Sequence, residues 1–252
     1  AVQIFSKERI FYTSSANQLK VNLNSSDFWN TNDPEIISLA QSLKTPKNIY
    51  DYVVSKLTYD YTRVKPNVVR LGARGALDSP NSAICMEYTD LFIALCRAAG
   101  IPAREINGYA YTENPEIQPI SLVSDVLHAW PEYWNEERKI WVAVDPTWGS
   151  TTGGQDFFNK LDLRHFSFVI HGTDATKPYP PGSYKLGPNP QKDVFVNFGK
   201  LPDKRNPEVT ITINAPKVVP FNKTVINVTV KNVGPIAIYD NIPVKGSFTF
   251  SK

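Results

Sequence analysis

The stretch from Asn81 to Arg104, NSAICMEYTDLFIALCRAAGIPAR, constrains the chain more than any other. Ile84, Tyr88, Leu91, Phe92, Leu95 and Cys96 recur at helical spacing, so the segment reads as an amphipathic helix. Ser82 is placed to cap its start by accepting from the unpaired N–H groups of the first turn. Gly100 stands where a left-handed C-cap is wanted, and Pro102 blocks continuation. The helix carries Cys85 on its first turn, where the positive end of the peptide dipoles favours a thiolate. Taken alone, Cys85 reads equally well as a small buried hydrophobe.

The second cysteine, Cys96, lies eleven positions further along, about 16 Å away at the helical rise. A disulfide needs Cα atoms within about 7 Å, so Cys96 reads as core and Cys85 as the thiol with a task. A net charge of +3 on 252 residues, with no Lys/Arg run interleaved with aromatics, points away from nucleic acid. The 42% hydrophobic and 20% charged fractions are those of an ordinary globular protein. No apolar run approaches the roughly 18 residues that cross a bilayer, so no membrane span is expected in this stretch. The chain starts at Ala1, which leaves open whether a signal peptide or anchor has been removed. Asn24-Ser25-Ser26, Asn222-Lys223-Thr224 and Asn227-Val228-Thr229 are glycosylation acceptor patterns and tilt the expected location towards secreted or cell-surface.

Residues 1 to 30 read as short β-like pieces. Asp33-Pro34 and Thr45-Pro46 each place a capping side chain before a proline and so start helices; Ile49, Tyr50, Val53, Val54 and Leu57 stripe the second, and both are expected to pack on the Cys85 helix. Tyr59 and Tyr61 alternate as an extended segment, and residues 62 to 80 read as a long loop that ends at the thiol. Glu105 to Tyr111 alternates as a strand. Leu122 to Trp134 and Lys139 to Val144 form two more around a turn at Asn135-Glu136-Glu137-Arg138, and Phe166 to Ile170 a fourth. Gly172 to Pro207 is rich in proline and irregular. Beyond it Val209, Ile211, Ile213 and Ile226, Val228, Val230 alternate in β fashion. The expected division is 1–204 for the main domain and 205–252 for a small β segment, short for a sandwich of about 100 residues.

His128 is one of three histidines. If the hairpin turn centres between Glu136 and Glu137, His128 and Asp145 lie directly opposite each other, with Cβ atoms about 5 Å apart. Asp145 would then fix the imidazole's tautomer and leave its other nitrogen for Cys85. A slip of one residue would separate them onto opposite faces. Singly, each residue reads more readily as structural, an Asp before Pro being common turn chemistry; jointly, they point to a nucleophile, a base and its orienting carboxylate. His165 and His171 show no partner spacing. With no HExxH, paired CxxC, GxSxG or glycine-rich phosphate loop, neither a metal site nor a cofactor is expected.

Three separated blocks now stand in order: Cys85-Met86-Glu87-Tyr88 with Arg97-Ala98-Ala99-Gly100-Ile101-Pro102-Ala103-Arg104; His128-Ala129-Trp130; and Trp141-Val142 with Val144-Asp145-Pro146-Thr147. Over about residues 45 to 150 the chain resembles the transglutaminase-like superfamily. The resemblance implies an α+β fold with a papain-like thiol core, in which a helix carrying Cys85 packs on an antiparallel sheet holding His128 and Asp145. It implies a thiol-dependent amide hydrolase acting on a peptide or protein through an acyl-enzyme. Acyl transfer to an amine is the alternative within the class, and a non-catalytic binding or structural module is the alternative outside it. The tail resembles Ig-like surface modules. Two features depart from the pattern. Pro131 removes a ladder N–H and should face an edge or bulge, and no Gln or Trp between Asp51 and Ile84 offers an oxyanion donor. The Cys85 N–H can be one donor, with Tyr59, Tyr61 or Asn81 as candidates for the second. Trp130 and Trp148 are further substrate-contact candidates, against the reading that the tryptophans fill the sheet face.

Overall fold

The computed structural model describes residues 11–65, 68–120, 128–179, 209–214 and 227–233. They fall in two compact units, Ala1–Gly199 and Lys200–Lys252. In the first unit everything packs round one helix, α5, and the elements before it are α1 (Ala16–Val21), α2 (Pro34–Leu43), α3 (Pro46–Lys56) and α4 (Gly72–Asp78). α5 spans Cys85–Ala98 and has a buried residue at nearly every position, Glu87, Thr89 and Asp90 included. The amphipathic reading therefore understates it, because α2, α3 and α4 cover the side turned away from the sheet. Asp33 and Thr45 cap α2 and α3 as expected, each accepting backbone N–H groups ahead of a proline.

The cap of α5 is not Ser82. Ile84 is the N-cap residue and has no acceptor in its side chain; instead Glu87 Oε2 reaches back to accept the Ile84 N–H at 3.0 Å. Cys85 is consequently the first residue of the helix, with an N–H that no intrahelical carbonyl can take. At the other end Ile101 N–H donates to the Cys96 carbonyl at 2.8 Å and Gly100 N–H to that of Arg97 at 3.0 Å, a Schellman closure. Gly100 sits at φ +78° and a Cβ there would meet nothing within 4 Å. Gly100→Ala is therefore expected to cost about 1 kcal/mol, the penalty of a side chain in the left-handed region alone, read as a lowered thermal midpoint with an unchanged fold.

The sheet is four-stranded, in the order β3-β2-β1-β4 and antiparallel at each of its three pairings. Its strands are β1 (Ala103–Ala110), β2 (His128–Asn135), β3 (Ile140–Ala143) and β4 (His165–His171), with α6 (Pro146–Thr151) between β3 and β4. β1 and β2 lie against α5. Pro131 faces the point where β3 runs out: its carbonyl accepts the Val144 N–H at 3.1 Å, but without an N–H it cannot donate in return. The ladder ends there, and the chain turns at Asp145 into α6.

Several local expectations are corrected. No strand occurs among residues 11–30, where α1 forms behind a Ser15–Gln18 capping box. Tyr59 makes only an isolated bridge to Ala83, and Tyr61 opens a single 3-10 turn, Tyr61–Arg63. The 62–80 loop contains α4. The segment 121–127 lies outside the described residues, as do 180–208. The second unit shows an antiparallel ribbon of β5 (Val209–Asn214) and β6 (Asn227–Asn232).

Candidate functional site

Asp145 owes its position to two local rules. As N-cap of α6 its Oδ1 accepts the Trp148 N–H at 3.0 Å, and its own N–H and carbonyl are tied to Phe157 and to the Tyr50 hydroxyl. With one oxygen fixed by the helix, the other, Oδ2, stands 2.8 Å from His128 Nε2. The two side chains meet, but not by the cross-strand pairing expected. Trp134 pairs with Trp141 and Asn135 with Ile140, which centres the turn between Glu137 and Arg138, one position later than anticipated. The Asn135 side chain accepts the Arg138 N–H, and Lys139 takes a positive φ of 54°, so the loop needs four residues, 136–139. His128 thus lies beyond the end of β3, and the N-cap geometry, not the ladder, delivers the carboxylate.

His128 is fully buried, with Trp130 and Trp148 stacked against it at centroid distances of 5.8 and 5.2 Å. Burial disfavours its charged form, but the Asp145 carboxylate, and beyond it the Cys85 sulfur, outweigh this and push the imidazole up to about 10. Asp145 is likewise penalised by burial, yet His128 and His165 hold it well below the usual carboxylate range. With Nε2 committed to Asp145, Nδ1 is the ring nitrogen left over, and Cys85 acts on the same imidazole at close range. Sulfur, imidazole and carboxylate are therefore gathered in one place, from α5, β2 and the α6 cap. Neither cysteine is in a disulfide. Cys96 is fully buried, and burial pushes its thiol well up.

The pair has a stability signature. His128 is raised above its ordinary 6.5, so its contribution is complete below that pH and is lost as pH climbs towards about 10. Asp145 is depressed below its ordinary 3.8, so its contribution is complete above that pH and is lost in more acid solution. Stability from this pair should therefore be greatest between pH 4 and 6.5. Asp145→Asn is expected to lower the urea midpoint most in that window, and an equal loss at pH 5 and pH 10 would contradict the assignment.

Three features were not legible in advance. His165, expected to lack a partner, has two: Nε2 lies 3.1 Å from Asp145 Oδ2 and Nδ1 2.8 Å from Asp162 Oδ1. His171 Nδ1 lies 2.8 Å from Glu105 Oε2. The two histidines are six apart, which strict alternation would put on one face. A bulge shifts the β1–β4 register between Asn107 and Gly108, so His171 stands opposite Glu105 and His165 opposite Ala110, on opposite faces. Gly108 permits it, since a Cβ there would lie 1.8 Å from the Phe166 carbonyl oxygen. The third feature is a buried charge network: Arg70 clasps Asp90 through both nitrogens and reaches Glu105 at 3.1 Å, while Glu87 accepts from Ile84 and Leu71 and pairs with Arg63.

One ligand-type atom from each of His128, Asp145 and His165 lies within 4.8 Å of the others, the one such group among the described residues. Both imidazoles aim a nitrogen at the same carboxylate oxygen at hydrogen-bond distance. That arrangement places N–H donors, not lone pairs, at the centre, which suits a hydrogen-bonded cluster and not a metal. Of the substrate-contact candidates, Trp148 and Trp130 are buried against His128 and His165. Tyr59 is buried with its ring edge-on to Tyr61 at 4.8 Å. Tyr61 is half exposed and, with Pro115 and Glu116, lines an open depression of about 400 Å³. Asn81 is exposed on the turn before α5.

A cysteine-headed helix packed on an antiparallel sheet is the architecture of papain-like and transglutaminase-like thiol cores. Residues 36–146 match the family model described as Transglutaminase-like superfamily, and that segment is similar to the family. It is 32% identical over 114 residues to a protein-glutamine gamma-glutamyltransferase of Pseudomonas aeruginosa, covering 44% of this chain and 17% of that protein. It is 26% identical over 128 residues to an uncharacterized protein of Mycobacterium tuberculosis, covering 46% and 40%. The chain thus spans less than half the length of these relatives. Among solved structures, a protein from Cytophaga hutchinsonii described as a candidate cysteine protease aligns with TM-score 0.48 and 20% identity over 66% of this chain and 50% of that one. The periplasmic domain of TgpA from Pseudomonas aeruginosa aligns with TM-score 0.38 and 21% identity over 56% and 53%.

Proposed function

We propose that the chain is a thiol-dependent amide hydrolase acting on peptide or protein substrates, with Cys85 as nucleophile, His128 as proton carrier and Asp145 as its orienting carboxylate. The observation that carries this reading is the buried His128 ring, held at Nε2 by Asp145 Oδ2 and close enough to Cys85 for the sulfur to act on the same imidazole. The Cys85 thiolate attacks the amide carbon, and the developing oxyanion takes the Cys85 N–H at the start of α5. Imidazolium Nδ1–H gives its proton to the leaving nitrogen, the C–N bond breaks and a thioester remains. Water then attacks the thioester, Nδ1 takes its proton, and sulfur departs as thiolate. Tyr61 and Asn81, exposed on the approach to α5, are assigned to substrate contact, with Tyr59 behind them. Trp130 and Trp148 act there indirectly, by packing the imidazole.

Acyl transfer to an amine is the second reading, favoured by the 32% identity to the gamma-glutamyltransferase; it requires that the thioester be shielded from water. Residues 1–204 are assigned the catalysis and 205–252 an appended β module of Ig-like kind, supported by the β5–β6 ribbon. A location outside the cytoplasm is part of the proposal, supported by the exposed acceptor Asn24; no helix among the described residues is long and apolar enough to cross a membrane. A peptide library incubated with and without a primary amine tests the reaction. Release of the leaving amine by wild type and not by Cys85→Ala is the expected result, incorporation of the added amine selects transfer, and no reaction with either overturns both.

A further inference from the structure

A second imidazole shares the orienting carboxylate. His165 Nε2 approaches Asp145 Oδ2 at 3.1 Å, the same oxygen that His128 Nε2 approaches at 2.8 Å. On its far side His165 Nδ1 meets Asp162 Oδ1 at 2.8 Å, and that oxygen also accepts the Arg164 N–H. The His165 side chain is 2% exposed and those of Asp145 and Asp162 are 0% and 6%, so water is not at hand to complete either contact. Ionised carboxylates only accept, and a neutral imidazole has a single N–H. Both contacts of His165 are hydrogen bonds only if the ring carries two protons.

We infer that His165 is a positioning residue of the thiol site: as an imidazolium bridging Asp162 and Asp145, it holds the Asp145 carboxylate in place and offsets its charge on His128. This rests on the Cys85–His128–Asp145 reading and deepens it. The charges then alternate along the chain of contacts, from Cys85 thiolate to His128 imidazolium, Asp145 carboxylate, His165 imidazolium and Asp162 carboxylate. The surroundings agree. Trp148 and Trp130 present themselves edge-on to the His165 ring at 4.6 and 4.9 Å, the His128 ring stands 5.7 Å away, and the Arg164 guanidinium is turned over Tyr111. Burial lowers the proton affinity of His165, while Asp162 and Asp145 raise it above the ordinary value. The consequence is specific. Asp145 unshared would grip the His128 proton harder, and the site would lose one positive charge that favours the thiolate.

The test is the pH dependence of Cys85 alkylation by iodoacetamide in the full chain, with folding checked by circular dichroism. His165→Gln keeps a donor towards Asp145 without the charge, and is expected to move the alkylation midpoint up by about one pH unit. His165→Lys is expected to bring it back. A folded His165→Gln protein with the wild-type midpoint overturns the inference, because a packing role would change rates without moving the midpoint. The wild-type protein gives an independent reading should the variants not fold: imidazole 15N shifts of the three histidines at pH 7 are expected to show His165 doubly protonated, and a singly protonated ring overturns it. His128→Ala separates the two claims. Alkylation indifferent to His128 sinks the thiol reading itself, whereas alkylation that depends on His128 with an unmoved His165→Gln midpoint sinks this inference alone.

Discussion

His128→Ala is expected to lower kcat on a peptide amide by a factor of about 10² to 10⁴, the usual worth of a positioned proton carrier, while Cys85→Ala abolishes turnover. The two substitutions act on one unit, so the double variant should be no worse than Cys85→Ala alone. Alkylation gives the same contrast without a substrate. Cys85 should label in a His128-dependent manner, and Cys96, buried within α5 with its thiol pushed up, should stay unlabelled in the folded protein. Steady-state kinetics on the three proteins decide it; activity retained by Cys85→Ala would remove the nucleophile from the scheme.

Arg70→Ala is expected to carry the largest stability loss, on the order of 3 kcal/mol, the low end for breaking a buried ion pair. Among the described residues, Arg70 is the one cation that pairs with both Asp90 and Glu105, and it also donates to the Ala175 carbonyl at 2.9 Å. Asp90 would keep the Trp29 indole N–H at 2.8 Å, and Glu105 would keep His171. Neither remaining donor balances two carboxylates buried side by side, so the loss comes mainly from charges left unpaired and not from the contact itself. Urea denaturation measures it. A loss under about 1 kcal/mol would mean that water or another cation reaches the carboxylates once the guanidinium is gone.

Local chemistry was legible wherever one stretch of sequence settles the matter. Asp33 and Thr45 before prolines start helices, Gly100 and Pro102 close the central one, and the alternation from Glu105 to Tyr111 marks a strand. The errors sit where two stretches compete for the same backbone group. Ser82 is a better cap than Ile84 by residue type, yet Glu87 takes the Ile84 N–H and fixes the helix start one residue before Cys85. The β2–β3 register depends on which turn wins, and the Asn135 side chain and the left-handed Lys139 chose a longer one.

The sequence by itself determined that a thiol would head a helix and that an aspartate before proline would cap another, because capping and dipole effects act within a few residues. Only the tertiary structure decided that His165 joins Asp145 and that Arg70 sits between Asp90 and Glu105. Those contacts join positions 20 to 35 residues apart, across a strand bulge and two helix packings. Their physical cause is desolvation: once the packed elements exclude water, each buried charge must find its partner inside, and the sequence does not record which one lies within reach.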